Sequence, residues 1–384
     1  MRYMTQRGAR CSLIVCALLC TLRAAAYDLS VHVQNVHGLP IQGAYVWLNP
    51  LAPQWAQSDA GGNATFTGVG GGNYLVVARH PSYGRADPQY PLLPLVTNVT
   101  FVLPNRTSFR IASYNMLGYS GWSVAQETAL AKIYWTAQPD IACVQEAPDD
   151  PPRFETFVNA YMHGYTAVVS SVGGPIHNGM LSFFPIDDTF SIGSSIMTRD
   201  LFGIETAIMG VQSTTFMSVH LKAGGNYSDG ERRNEEATYV GEYCSNLFRQ
   251  GALFILAGDM NDDPDYYREP SRVHPILAES GAGLVELSAT DDDGNIETYS
   301  TYARYDFIVP VTGLAAKVID TYIVRTDTMD SRPAWLAYGD SDLASDHHMV
   351  YADIEIVPEP AQATTIALLC GILFPVLRRR LPWN

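Results

Sequence analysis

Along the chain, a series of short apolar runs each meets a side chain able to bind a cation or move a proton. "RIASYN" ends on Asn115, "PDIACVQEA" on Glu146, and "TTFMSVHLKAG" on His220 and Lys222. "ALFILAGDMNDDP" delivers Asp259 and Asn261, "ARYDFIV" carries Asp306, and "LASDHHMVYADIEI" places Asp346 and His347 just ahead of the last run. Taken singly, such residues are ordinary turn formers and caps. Carboxylates gathered at one place would hold a divalent cation, and imidazoles beside them would titrate near neutrality.

Elements that bring these residues together are legible from periodicity. The apolar runs are short and bounded by turn residues, as buried strands are. Ser123 and Gln126 form a capping-box pair ahead of Ala129, Leu130 and Ile133, so a helix follows the first strand and Pro139 stops it. A second helix is predicted over Gly230 to Gln250, capped by Asp229. Strand ends along one edge of a packed sheet converge, which gives residues far apart in sequence a shared place.

Asn115, Gln145-Glu146, "HLKAG" at His220, "GDMNDDP" at Gly258, "RYDFIV" at Arg304 and "SDHH" at Ser345 resemble, in order, the signature blocks of the endonuclease/exonuclease/phosphatase superfamily. That superfamily includes deoxyribonuclease I and neutral sphingomyelinases, and the resemblance covers residues 108–357. It implies a deoxyribonuclease I-like, four-layered α/β sandwich. It also implies magnesium, with manganese or calcium as substitutes, on Glu146 with Asn115 and Asp346 nearby. Asp259 and Asn261 would position the attacking water and the phosphate, and His220 would hydrogen-bond the phosphoryl oxygens. His347, oriented by Asp306, would act as general base or charge stabiliser. Asp320 in "VIDTYIV" rivals Asp306, which is preferred because Arg304 precedes it in the family's Arg-x-Asp pattern. The chain departs from the family in lacking an Arg in "MLSFFPI", in having Phe202 within "TRDLFGIE" where another Arg is common, and in having no acid two places after Asn115.

Residues 27–104 alternate with period two: Val31 and Val33, then Ala44, Val46 and Leu48, each set on one face, with Gly-rich turns between. Gly43-Ala44-Val46, Asp59, Gly62, Phe66 and Gly72-Tyr74 resemble the carboxypeptidase regulatory-like, or transthyretin-like, domain, a small β-sandwich. Its histidines His32, His37 and His80 have no metal-ligand spacing. Residues 1–26 join Arg2, Arg7 and Arg10 to an apolar stretch and Ala24-Ala25-Ala26, the pattern of a secretory signal cleaved before Tyr27. Residues 358–384 hold Pro358-Glu359-Pro360, an apolar run and Arg378-Arg379-Arg380, which resembles a PEP-CTERM sorting signal. That resemblance implies a Gram-negative exporter, transient inner-membrane anchoring, an exosortase partner, and release to the cell surface or beyond.

Net charge is −15, which argues against a protein that binds nucleic acid passively through many phosphate contacts. A hydrolase whose bound cation reverses the sign locally is still allowed. Four of the six cysteines lie in the tails, and Cys143 and Cys244 read as small buried hydrophobes without a disulfide framework. The expectation is a monomeric, secreted, metal-dependent phosphodiesterase acting on extracellular DNA, aided by Lys222, Arg232 and Arg233. The alternatives are a phospholipid phosphodiesterase whose "YNMLGYSGW" loop, Tyr114 to Trp122, meets a membrane, and a non-catalytic matrix or adhesion protein on the same fold.

Overall fold

The computed structural model describes residues 26–48, 54–118, 121–148, 151–172, 176–209, 212–266, 270–300 and 302–356, so the sorting tail, and the expected export segment apart from Ala26, lie outside the described residues. The chain forms two compact units, one of residues up to 80 with 85–104, the other of 81–84 with the residues from 105 onward.

The first unit is all β. Strand β1 (Ala26–Asn35) lies between β4 (Asn63–Gly70), antiparallel, and β8 (Asn98–Leu103), parallel. A second sheet centres β2 (Tyr45–Leu48) between β3 (Gln54–Gln57) and β6 (Val76–Arg79), and β5 (Gly72–Asn73) pairs with β7 (Leu92–Leu93). On β1 the period-two pattern does what it predicts, burying Leu29, Val31 and Val33; on β2 Val46 and Leu48 are buried, and so is Trp47 between them. Gly62 is required by its turn, because φ is +77° and a Cβ there would lie 2.5 Å from the Val33 carbonyl oxygen.

The second unit has two sheets face to face. Six strands run in the order β11 (Thr166–Val169), β12 (His177–Ser182), β10 (Ile141–Ala147), β9 (Ser108–Asn115), β19 (Met349–Glu355), β18 (Val318–Val324). Five run β13 (Asp188–Ile192), β14 (Leu201–Ile208), β15 (Gln212–His220), β16 (Phe254–Asp259), β17 (Asp306–Pro310). Their inner faces share one core, in which Phe109, Ile111 and Cys143 of the first sheet meet Phe216, Met217 and Ile255 of the second. Phe109 and Phe216 touch edge to face with centroids 5.8 Å apart. Full burial of each such side chain contributes about 1.5–3 kcal/mol.

Helices complete the layers. On the outer side of the six-stranded sheet, α1 (Val124–Ala137) sets Tyr134 against Tyr114 at 5.9 Å, and α2 (Pro151–Tyr161) packs by β11. On the outer side of the other sheet, α3 (Tyr227–Arg249) sets Tyr243 against Phe190 at 6.1 Å, and α4 (Val273–Glu279) sets His274 against Phe307 at 4.5 Å. This is the four-layered α/β sandwich expected from the sequence. Cys143 and Cys244 are free and buried.

The caps differ from expectation in instructive ways. The Ser123 side chain accepts from the Gln126 backbone N–H at 3.2 Å, but the Gln126 amide donates to the Ala344 carbonyl at 3.1 Å, so only half of the capping box forms. Asp229 is not the cap of α3. The helix starts three residues earlier, at the Asn226 cap, and Asp229 accepts the Asn226 backbone N–H at 3.2 Å from inside the first turn.

Candidate active site

Register places the chemistry at one rim. β9 and β10 run parallel with Asn115 beside Gln145, and β15 and β16 run parallel with His220 beside Asp259. β17 runs antiparallel to β16 and begins with Asp306 opposite Asp259. β19 runs antiparallel to β9 and begins just after His347. Four strand ends and two strand starts therefore meet on the same edge.

Backbone conformation sharpens that rim. Glu146 has φ +52° at a bulge where β10 slips against β12, and Gly118 donates to its carbonyl at 2.8 Å. Asn261 has φ +50°, a conformation asparagine tolerates, and its backbone N–H donates to Asp259 Oδ1 at 2.8 Å. Ser300, also at φ +52°, donates its N–H to the Asp346 carbonyl at 2.9 Å. Such left-handed residues cluster where surrounding structure over-determines them. Gly258 has no alternative, since a Cβ there would come within 1.9 Å of the Val219 carbonyl oxygen.

Asp259 is the centre. Its Oδ2 lies 3.1 Å from Asn115 Nδ2, 3.4 Å from His220 Nε2 and 3.7 Å from His347 Nε2. His347 Nδ1 is 2.7 Å from Asp306 Oδ2. Asn115 Nδ2 also lies 3.3 Å from Glu146 Oε1, which is 4.0 Å from His220 Nε2. Asn115, His220, Asp259, Asp306 and His347 are all buried, while Asp346 is exposed and lines the same cavity of about 360 Å³. Ser345 ties the set together, donating to the Asn115 carbonyl at 2.7 Å and accepting the His347 N–H at 3.1 Å.

Burial raises Asp259 to about 7, with the Asp306 charge in support and His347 in opposition. Burial alone would lower His347, but the Asp306 and Asp259 carboxylates raise it to about 10. Burial, reinforced by the charges of Arg199 and His347, holds His220 well below the ordinary imidazole value. Burial raises Glu146 also, opposed by the Asn115 hydrogen bond and the charges of His347 and Arg199. One imidazole is thus cationic and the other neutral, on either side of a carboxylate that titrates near neutrality.

Each expected site residue reaches the rim, with two differences in detail. Asn115 turns its amide nitrogen to the Glu146 and Asp259 carboxylates, while its Oδ1 accepts the Leu117 N–H at 3.1 Å. The Asn261 side chain donates to the Leu221 carbonyl at 3.1 Å, so its link to Asp259 runs through the backbone. Asp306, not Asp320, touches His347; Asp320 is exposed on β18 and accepts from Thr321.

Sequence reasoning missed Arg199. Buried within "TRDLFGIE", it donates to the Leu221 carbonyl at 2.9 Å and bears electrostatically on Asp259 and Glu146. The cation sought at Phe202 stands three residues earlier. Glu236 of α3 was also missed: it is fully buried and accepts the Thr198 and Lys222 N–H groups at 2.7 and 2.6 Å, joining the Arg199 segment to the end of β15.

Two groups of residues expected at the surface include buried side chains. Arg233 is buried and donates to the Lys222 and Gly224 carbonyls at 2.9 and 2.8 Å, while the half-buried Arg232 donates to the Ser195 carbonyl and pairs with Glu235 at 3.0 Å; Lys222 pairs with Asp229 at 3.1 Å. In the aromatic loop, Tyr114 and Trp122 are buried; Trp122 donates to the Met116 carbonyl at 3.0 Å and packs on Phe157. These rings fold inward because an indole N–H and two aromatic faces find partners there.

No family model matches the sequence, and no curated protein does. Among solved structures, the chain is similar to TDP2 from C. elegans, with 20% identity, TM-score 0.48, and coverage of 65% of this chain and 75% of that one. It is similar to an endonuclease/exonuclease/phosphatase from Beutenbergia cavernae, with 16% identity, TM-score 0.49, and coverage of 65% and 72%. An AP endonuclease from Archaeoglobus fulgidus matches with 18% identity, TM-score 0.45, and coverage of 65% and 100%. The functional reading therefore rests on the site.

Proposed function

We propose that the second unit hydrolyses phosphodiester bonds. The observation that carries this reading is the buried Asp306–His347–Asp259–His220 array, clamped by Asn115 and opening on the cavity. Phosphodiester hydrolysis spreads negative charge over the phosphoryl oxygens while a water loses a proton. His347, kept cationic by Asp306, would face that charge. Asp259, in its ionised form, would take the proton, and neutral His220 would donate a hydrogen bond.

Among the described residues no three His, Cys, Asp or Glu side chains are grouped to cage an ion by themselves. A magnesium-type ion needs only one or two carboxylates, because it keeps several waters. Glu146 Oε2, buried without a hydrogen-bond partner, and Asp346 on the same cavity fit that demand. Glu146 and Asp346 would hold the ion, with Asn115 steadying Glu146. When bound it supplies Lewis-acid polarisation of the phosphoryl group.

DNA is the substrate that the sequence motifs favour. With Arg233 buried and Arg232 held by the Ser195 carbonyl, few phosphates would be contacted, and DNA binding would be weak with a shallow salt dependence. A second reading, a phosphodiester with a small ester group, is favoured by a tyrosine-lined cavity beside the site. We place the enzyme outside the inner membrane, on the strength of the two terminal segments. The test of the reaction is release of p-nitrophenol from bis-p-nitrophenyl phosphate, with magnesium and then EDTA, by wild type and Asp259→Asn. Turnover that is lost with EDTA and drops at least ~100-fold in the variant is expected. A flat rate with every divalent ion would reject the reaction.

A further inference from the structure

Arg199 reaches the catalytic rim from a short segment ahead of β14, and from there its charge acts on Asp259 and Glu146. Its Nη1 lies 2.9 Å from the Leu221 carbonyl and 3.4 Å from the His220 carbonyl, while its Nε is buried and has no hydrogen-bond partner among the described residues. A guanidinium carries five N–H donors in a rigid fork, so one nitrogen on neighbouring carbonyls leaves its place under-determined. The backbone that it leaves from must supply the rest.

On one side of Arg199, Glu236 accepts the Thr198 N–H at 2.7 Å. On the other stands Asp200, only 2% exposed. Its Oδ2 accepts the hydroxyls of Ser170 and Ser191, and its carbonyl accepts the Asn178 amide at 2.6 Å. These partners come from both sheets. Ser170 follows β11 and Asn178 lies in β12 of the six-stranded sheet, whereas Ser191 lies in β13 of the five-stranded one. Ser170 is itself fixed, donating its N–H to the Asn178 carbonyl at 2.9 Å. Holding the sheets together does not call for a carboxylate here. They already share an apolar core, and a buried carboxylate is costly to desolvate, the more so because Asp200 Oδ1 is buried without a partner among the described residues. An apolar side chain would cost less but could not direct the backbone. Asp200 does not line the catalytic cavity, so what it can offer the rim passes through its neighbour.

We propose that Asp200 is a positioning residue for Arg199: its serine and asparagine partners fix the Thr198-Arg199-Asp200 segment so that the guanidinium stays on the His220 and Leu221 carbonyls. The catalytic consequence rests on the phosphodiesterase reading, whereas the placement does not, so the test reads both. Asp200→Ala and Ser191→Ala are made in the full chain, each alone and combined with Arg199→Ala. Ser191 is exposed, so its truncation spares the core, and it carries the same cycle if Asp200→Ala does not fold, as circular dichroism melting will tell. Hydrogen exchange is followed by mass spectrometry over residues 218–222, which reach Asp200 only through Arg199 in this hydrogen-bond chain. Asp200→Ala should speed exchange there about ten-fold, Ser191→Ala about three-fold, and either should add less than about two-fold once Arg199 is gone. Turnover of bis-p-nitrophenyl phosphate with magnesium should follow the same pattern, with kcat about ten-fold lower in Asp200→Ala and little change in KM. Effects of equal size in both backgrounds would make Asp200 a staple of the sheets alone and overturn the proposal, as would exchange that neither single variant changes. Arg199-dependent exchange in a chain that leaves bis-p-nitrophenyl phosphate intact would instead sink the proposed reaction and keep the placement.

Discussion

The two units use the same residue types to different ends. In the first, Asp59 accepts the N–H groups of Gly61 and Asn63 at 2.8 and 2.9 Å, and His32 meets Asn63 at 3.0 Å on the surface. These Asp, Asn and His side chains settle one turn and remain in contact with water. In the second, Asp259, Asn115 and His347 are buried and draw partners from opposite ends of the unit, with Asn115 and His347 separated by 232 positions. Chemistry follows burial and long-range partners, because a carboxylate or imidazole has its proton affinity moved furthest where water cannot screen it.

That contrast can be broken by mutation. The largest expected effect is structural: Gly258→Ala drives a Cβ into the Val219 carbonyl, and soluble folded protein should be lost, as judged by expression and circular dichroism. Next come Asp259→Asn and His220→Ala, each expected to lower kcat at least ~100-fold with the fold retained. Near-wild-type turnover in either would mean that the rim is not catalytic. Arg199→Lys should have a smaller effect of about ten-fold on kcat/KM, since a point charge cannot replace the guanidinium on the Leu221 carbonyl. Asp320→Asn, on an exposed side chain of β18, and Asp59→Ala, on an exposed side chain of the first unit, should leave turnover unchanged. A loss in Asp59→Ala would show that the first unit takes part in catalysis.

Strand ends were legible because an apolar run that stops at a polar residue carries its own boundary. Packing decided what remained. Asp306 and Asp320 both follow from apolar contexts, and only the pairing of β17 with β16 puts the former opposite Asp259 while β18, at the sheet edge, turns the latter outward. Arg233 read as a surface cation because Arg on a helix is usually solvated. Its position on α3 instead points it at the carbonyls of the 222–224 loop, two of which its Nη1 satisfies together. Of the "YNMLGYSGW" aromatics, Tyr114 and Trp122 are buried and Tyr119 lies outside the described residues; residue type alone cannot say which face of a loop is covered. Arg199 went unnoticed because the cation was sought at Phe202, where family spacing put it, and not in the turn before β14.

The pH dependence of kcat/KM in wild type and Asp306→Asn tests the central claim most directly, because the Asp306 charge raises His347 and supports the raised Asp259. Asp259 must be ionised to take a proton, so the rate should rise as pH passes about 7. His347 must be protonated to face the phosphoryl charge, so the rate should fall as pH passes about 10. Removing the Asp306 charge takes away the largest of the charges that raise His347 and one that raises Asp259, so the alkaline limb should move to lower pH, and the acid limb with it, while the fold persists. An alkaline limb that stays in place in Asp306→Asn would contradict the account.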